Sequence, residues 1–316
     1  LSNSYRTDFS RIVYLYLRLM TKFFTYSTAL LAGLALLGST TQADAQQFSK
    51  RKQYTSIGVN LNAMNYFGDL NPNTNFASFK LGDTRPNLGI SITHRFFPRV
   101  SGRFGLAYGR ITAEDGDNAN RDDNNARYRY TRNMNFRNDI AEASAVMIVD
   151  LIENRNNYLK RPDFVPYLFA GLAGFYHSPK GKDQNGNYVP LQPLQTEGKD
   201  YSKVSFAIPF GAGVRYRINR NLDASFEIGL RKTFTGYLDD VSGNYADLSG
   251  KSAEAQYFGG YAGGTSGKGI TNTSTGVAGG FVPGAKRGQG HDDWYTVSGF
   301  SLNYILTPRI KNPKFR

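Results

Sequence analysis

The stretch FAIPFGAGVRYRINRNLDASFEIGLRKTF, Phe206–Phe234, decides the fold. From Phe206 to Ile218 every even position is apolar or aromatic: Phe206, Ile208, Phe210, Ala212, Val214, Tyr216 and Ile218. The odd positions between them are Ala207, Pro209, Gly211, Gly213, Arg215 and Arg217. After Asn219-Arg220-Asn221 the alternation restarts, with Leu222, Ala224, Phe226, Ile228 and Leu230 on one face and Asp223, Ser225, Glu227 and Arg231 on the other. A period of two is that of a β-strand, so the stretch predicts two strands joined by a tight hairpin. The apolar face must meet either a protein core or lipid.

Composition narrows the choice. The chain has 316 residues, of which 40% are hydrophobic and 14% aromatic, with 21 Tyr, 22 Phe and 34 Gly. Its mean hydropathy of −0.46 is too polar for a bundle of membrane helices. A polar average rich in rings and glycine suits a β-protein that hides half of each strand from water. There are no cysteines, which excludes disulfide scaffolds, thiolate metal sites and a cysteine nucleophile. The net charge of +13 is scattered over strands, turns and the C-terminus. No compact basic block and no nucleic-acid signature appears, so nucleic acid is not an expected partner.

The segment MTKFFTYSTALLAGLALLGSTTQADAQ begins at Met20. Lys22 gives a basic start, Ala29–Gly38 a short apolar run, and Ala43-Asp44-Ala45 a small-x-small cleavage site, the pattern of a secretory signal. The apolar run is about half the ~20 residues a membrane helix needs. Residues 1–45 are therefore expected to be an upstream extension plus signal peptide, with Met20 the true start and Gln46 the first mature residue.

Strand character recurs at Tyr54–Gly68, Asn87–Phe97, Gly102–Thr112, Asn135–Ile152, Phe164–His177, Tyr201–Ile218, Leu222–Phe234 and Asp293–Leu306. Most of these reach the ~9–11 residues of a tilted membrane strand. The connections alternate in length. Those at 69–86, 113–134, 178–200 and 235–292 are long; Pro98–Ser101 and Asn219–Asn221 are short, with 153–163 between. An up-and-down meander then carries every long loop at one end. That is the plan of an outer-membrane barrel, with long extracellular loops and short periplasmic turns. The expected fold is all-β, an eight-stranded antiparallel up-and-down transmembrane β-barrel over 46–306, with a basic periplasmic tail at 307–316.

On this fold the even face of the Phe206 strand meets lipid, and so do Ala143, Ala145, Met147, Val149 and Leu151. Glu142, Glu227, Arg95, Arg215 and Arg231 must pair inside, because a buried charge needs a partner. Strand-end rings are expected to form interfacial girdles: Tyr66, Phe67, Phe96, Phe97, Phe164, Tyr176, Tyr216, Trp294, Tyr295 and Tyr304. Pro166 and Pro209 count against this fold: each lies inside a strand of a sheet with no free edge and removes a ladder hydrogen bond, which a bulge could absorb.

The final loop includes a Gly/Ser/Thr-rich half, Gln256–Gly290, that reads as flexible. Its Gly264-Thr265-Ser266-Gly267-Lys268 lacks the first glycine of a phosphate loop. At the loop's base stand Asp239 and Asp240 before it, and His291, Asp292 and Asp293 after it. Crowded carboxylates beside an imidazole could activate water, and the oxygens of Asp239, Asp240, Asp292 and Asp293 could hold Ca²⁺. Aspartates also favour turns and solvated rims. With three histidines in the chain no His-rich metal site is expected. No catalytic residue, metal or cofactor is assigned.

The stretches NYFGDLNP (65–72), RNMNFRNDIAE (132–142), FVPYLFAGLAGFYHSPK (164–180), LQPLQTEG (191–198), FAIPFGAGVRY (206–216), RKTFTGYLDDVSGNY (231–245) and DWYTVSGFSLNY (293–304) together resemble a known family. It is the PorG-like outer-membrane β-barrels of the type IX secretion system of Bacteroidota. The resemblance implies a non-enzymatic barrel associated with the periplasmic PorK/PorN ring, and no catalytic residues. The tail cations Arg309, Lys311, Lys314 and Arg316 are then the expected partner-binding residues. The alternatives are an independent surface barrel for adhesion or lipid and ligand binding, and a membrane hydrolase at Asp239, Asp240 and His291.

Overall fold

A computed structural model describes residues 52–71, 81–115, 134–183, 185–259 and 283–306. The signal segment, the tail with Arg309, Lys311, Lys314 and Arg316, and residues 260–282 of the Gly-rich loop lie outside the described residues.

The strands are β1 Thr55–Phe67, β2 Arg85–Arg95, β3 Val100–Glu114, β4 Asn135–Asp150, β5 Phe164–Lys182, β6 Tyr188–Pro190, β7 Val204–Arg217, β8 Leu222–Thr233 and β9 Trp294–Leu306. They form one antiparallel sheet in the order β4-β3-β2-β1-β9-β8-β7-β5-β6, and β4 also pairs with β5. That pairing closes the sheet. Eight strands run round the barrel, and β6 is a short ninth strand paired only to the far end of β5. The termini of β1 and β9 lie together, Thr55 opposite Leu306. The short turns share their end, and the long connections share the other.

The face assignment holds. Exposed large apolar side chains run round the outside: Ile57, Val59 and Leu61 on β1; Leu88, Ile90 and Ile92 on β2; Phe104 and Leu106 on β3; Phe206 and Val214 on β7; Phe300 and Leu302 on β9. Leu172 and Phe206 are 70% and 66% exposed. Large apolar side chains at that exposure fit a hydrocarbon solvent and not water. A span in lipid must satisfy every backbone polar group internally, and a closed barrel does so without a sheet edge. Among the described residues no helix is long and apolar enough to cross a membrane.

Two expectations are corrected. Neither proline needs a bulge. Pro166 sits opposite Val214 in unbroken register. Around Pro209 the register is the same on both sides, Ala170 opposite Phe210 and Ala173 opposite Ala207. The ladder loses contacts there without gaining a residue. The girdle also loses members: Tyr66, Phe67 and Tyr295 are buried. In β1 the outward positions are Ile57, Val59 and Leu61, and in β9 they are Phe300, Leu302 and Tyr304. Tyr66 and Tyr295 have the opposite parity and enter the barrel. Phe96, Phe97, Phe164, Tyr176, Tyr216 and Tyr304 are exposed as expected, and Trp294 is half-buried.

Inside, rings and glycines share the width. Phe169 and Tyr167 cross from β5 towards β7, where a Cβ on Gly213 would meet the Tyr167 ring at 2.6 Å and one on Gly211 would meet Phe169 at 2.9 Å and the Ile228 carbonyl at 2.2 Å. Glycine on β7 is a condition for these rings to fit the lumen.

Candidate functional site

Two polar assemblies fill the barrel axis, one through the lumen and one capping the long-loop end.

The lumen assembly is a ladder of ion pairs. Arg95 Nη1 lies 2.8 Å from Asp150, and Arg215 lies 3.3 Å from the same carboxylate. Arg103 forms a two-pronged pair with Glu227, which also accepts from the Tyr167 hydroxyl at 2.6 Å. Arg231 stands 3.5 Å from Glu142, which accepts from Tyr295 at 2.6 Å. All five charges expected inside are paired there. Arg103, whose parity on β3 also points inward, completes the set. Between the pairs lie polar cavities of about 10, 20 and 50 Å³, the last lined by Asn60, Asn62, Arg103, Glu142, Glu227 and Ser301. Each has room for one or a few waters. At the short-turn end Arg161, buried, closes the floor. Its guanidinium donates to Asp223 at 2.5 Å and to the carbonyls of Tyr158, Asn219 and Arg220 at 2.5–2.8 Å. One side chain thus ties the 151–163 turn to the β7–β8 turn.

The cap is built around Arg287, which is fully buried. Its Nη1 donates to Thr196 Oγ1 at 2.7 Å, to the Asp240 carbonyl at 2.8 Å and to Glu197 at 3.3 Å. Its Nη2 donates to the Phe258 carbonyl at 3.3 Å and lies 3.6 Å from the Asp240 carboxylate. Glu197 also accepts from the Ser242 and Gly243 amides at 3.0 and 2.8 Å. Asp240 has a left-handed backbone, φ 67°, which turns its carbonyl and side chain onto this network. Its carboxylate accepts from Thr196 at 2.5 Å and Tyr201 at 2.6 Å. Burial raises its pKa first of all, against the pull of Arg287. Burial and the adjacent Asp240 charge likewise push the Tyr201 phenol up, and burial with Glu197 lifts Tyr237 to about 12. His177, Tyr201 and Tyr237 form a parallel stack, with centroids 6.3 and 4.6 Å apart.

Under the cap, Tyr66 Oη lies 2.6 Å from Asp239 Oδ2 and 2.9 Å from Asp293 Oδ1. The hydroxyl has one hydrogen to give. The second short contact therefore needs a proton on a carboxyl group. Burial, and then the charge of Asp239, push Asp293 well above the usual carboxylate range, so Asp293 is the group that holds it. The remaining oxygens accept backbone amides, Val241 on Asp239 and Leu238 on Asp293, both at 2.9 Å.

The loop-base cluster is thus divided. Asp239 and Asp293 meet through Tyr66, Asp240 belongs to the Arg287 network, and Asp292 and His291 are exposed. Among the described residues no group of three or more His, Cys, Asp and Glu side chains is arranged to hold a metal. The flexible reading of Gln256–Gly290 is corrected at both ends. A short helix, α1 Ala253–Phe258, is capped by Ser252, and Arg287 is anchored. No periodicity marks Arg287 in the run GAKRGQG; its partners are supplied by Thr196-Glu197 and Asp240, far away in sequence.

A closed antiparallel sheet with an apolar outer belt, a charged interior and all long loops at one end defines an outer-membrane β-barrel. A family model described as "Domain of unknown function (DUF6089)" matches residues 42–255, and the chain belongs to that family. No curated protein matches the sequence. Among solved structures the chain is similar to the N-terminal β-barrel domain of OprF from Pseudomonas aeruginosa, at 12% identity and a TM-score of 0.32, covering 80% of this chain and 99% of that one. It is also similar to Ail, the attachment invasion locus protein of Yersinia pestis, seen in complex with the heparin analogue sucrose octasulfate. That match has 11% identity and a TM-score of 0.35, covering 81% and 99% of the two chains. The outer membrane protein OprG of Pseudomonas aeruginosa matches at 9% identity and a TM-score of 0.35, covering 82% and 98%.

Proposed function

We propose that this barrel is a non-enzymatic assembly or anchoring subunit, of the kind its resemblance to PorG-like components of the type IX secretion system implies. Its partners are outer-membrane lipid and a periplasmic PorK/PorN-like ring. The observation that carries the reading is the filled axis. Three ion-pair groups cross the lumen, and a buried cap fills the outer mouth. A barrel filled along its length offers its two ends as working surfaces. The short-turn end is pre-organised by Arg161 and presents exposed Arg99, Arg155, Lys160 and Arg220. The tail cations Arg309, Lys311, Lys314 and Arg316 follow β9 in the sequence and are the further partner-binding residues of this reading. The carboxylates of the loop base act as cap structure, with Asp292 the one member left to solvent.

Pull-down of the full chain from gently solubilised envelopes tests this. Periplasmic ring proteins are expected to co-elute, and removal of 307–316 is expected to weaken their retention while the barrel still inserts. Recovery of the barrel with no periplasmic partner would overturn the assembly role. Unchanged retention without 307–316 would remove the tail from it.

A further inference from the structure

The barrel wall is taller on one side. Tyr108 on β3, Ala141 on β4 and Tyr176 on β5 lie level in register and face outward, and both tyrosines are exposed, at 59% and 49%. Exposed rings at this end mark the outer interface of the bilayer. β7 begins at Val204, level with Tyr176, but β3, β4 and β5 continue upward. Their next outward row is Arg110, Asp139 and Ser178; the row above is Thr112, Arg137 and Lys180. Lys182 stands higher still, opposite Tyr188 of β6. Each row is roughly 7 Å further along the strands. The outer face of this lip therefore places four cations directly above the lipid-facing rings.

The charges do not cancel. Arg110 and Arg137 share Asp139, at 2.5 and 3.2 Å, and Glu114 is the other acid on the lip's outer face. Among the described residues neither Lys180 nor Lys182 forms an ion pair. Arg137 packs its guanidinium 5.0 Å from the Tyr188 ring centroid, and its buried Nε has no hydrogen-bond partner. The ring packs against the guanidinium, and the side chain keeps 26% of its surface exposed.

We propose that this lip is a binding site for the phosphate groups of the anionic glycolipid of the outer leaflet. Arg137 and Lys180 grip a phosphate, and Arg110 and Lys182 flank it below and above. The height selects the ligand: the cations sit one to three rows above the aromatic line, at headgroup level and on the face the acyl chains approach. Arginine and lysine suit phosphate oxygens, the first by its forked donors and the second as a point charge. The site depends on the barrel and is independent of any role in secretion.

Native mass spectrometry of the full-length barrel in detergent, titrated with lipid A, tests it. Lipid A is expected to remain bound, with Arg137→Gln weakening it about fivefold and each further cation removed by a similar factor. Dephosphorylated lipid A is expected to bind like the fourfold Arg110→Gln, Arg137→Gln, Lys180→Gln, Lys182→Gln variant. Arg155→Gln with Lys160→Gln, at the opposite rim, is the control and should leave binding unchanged. Strand circular dichroism reports whether each variant is folded. Equal lipid A binding by wild type and a folded fourfold variant would overturn the site. Equal affinity for phosphatidylglycerol or for inorganic phosphate would overturn the assignment to the outer-leaflet glycolipid.

Discussion

A single proton organises the base of the cap. Tyr66 bridges Asp239 and Asp293, and only one of these contacts can use the phenolic hydrogen. Asp293 titrates near 3.8 in an unfolded chain and well above it when folded. A carboxyl group raised by folding holds its proton more tightly in the folded state. Its contribution is therefore complete below about 3.8 and is lost as pH rises through the folded value. Asp240 is shifted in the same direction, so the two add. The cap is expected to loosen as pH rises. Hydrogen exchange at the Leu238 amide, corrected for its intrinsic rate, reads this directly, because that amide donates to Asp293. Asp293→Asn, isosteric with the protonated acid, keeps a carbonyl acceptor for that amide, so it should retain the protection and flatten the pH slope. An unchanged slope in the variant would show that another group titrates.

At the scale of the element, each strand is a compromise between two solvents. β8 turns Ile228 outward and Glu227 inward. The outward member needs no partner. The inward one is stable only because Arg103 on β3 and Tyr167 on β5 reach it across the lumen. Glu227→Ala leaves Arg103 buried without its carboxylate, and a buried pair broken on one side costs about 3–5 kcal/mol. Replacing both, Arg103→Met with Glu227→Met, should recover most of that loss, because the desolvation cost leaves with the charges. The guanidinium unfolding midpoint of detergent-refolded barrels measures both. A double variant no better than the single one would mean that the pair contributes more than charge balance. How much of each element was legible follows the same division. Alternation along Phe206–Phe234 is local, so the lipid face was readable residue by residue. The upward extension of β5 to Lys182 and the short strand β6 were not, because the Gly181-Lys182 segment has no apolar alternation and is held by partner strands.

At the scale of the molecule, two independent layers seal the axis. The cap and its apolar underside, with Met64, Ile111, Phe136, Ile140, Phe175 and Leu238, close the outer mouth, and the ion-pair ladder fills the lumen beneath. Removing one layer should not make a pore. In planar bilayers the wild-type barrel is expected to conduct at background. Arg287→Ala, which leaves Glu197 and Asp240 buried without their cation, is expected to expose the cap to protease and still conduct at background. Steady conductance in either would refute a filled lumen.

The sequence by itself determined the number of barrel strands, the side of each strand that meets lipid, the end that carries the long loops and five of the charges that face inward. These are properties of period-two alternation and loop length, and each is written within a few tens of residues. Only the tertiary structure decided which charge meets which. Arg103 finds Glu227 at 124 positions' separation, and Arg287 finds Thr196 at 91. It also decided that Tyr66 and Tyr295 leave the girdle for the interior and that Arg287 draws the end of a glycine-rich loop into the cap. The reason is closure. A local pattern fixes the face a side chain occupies, but its neighbours across the lumen exist only once β4 pairs with β5 and the sheet becomes a ring.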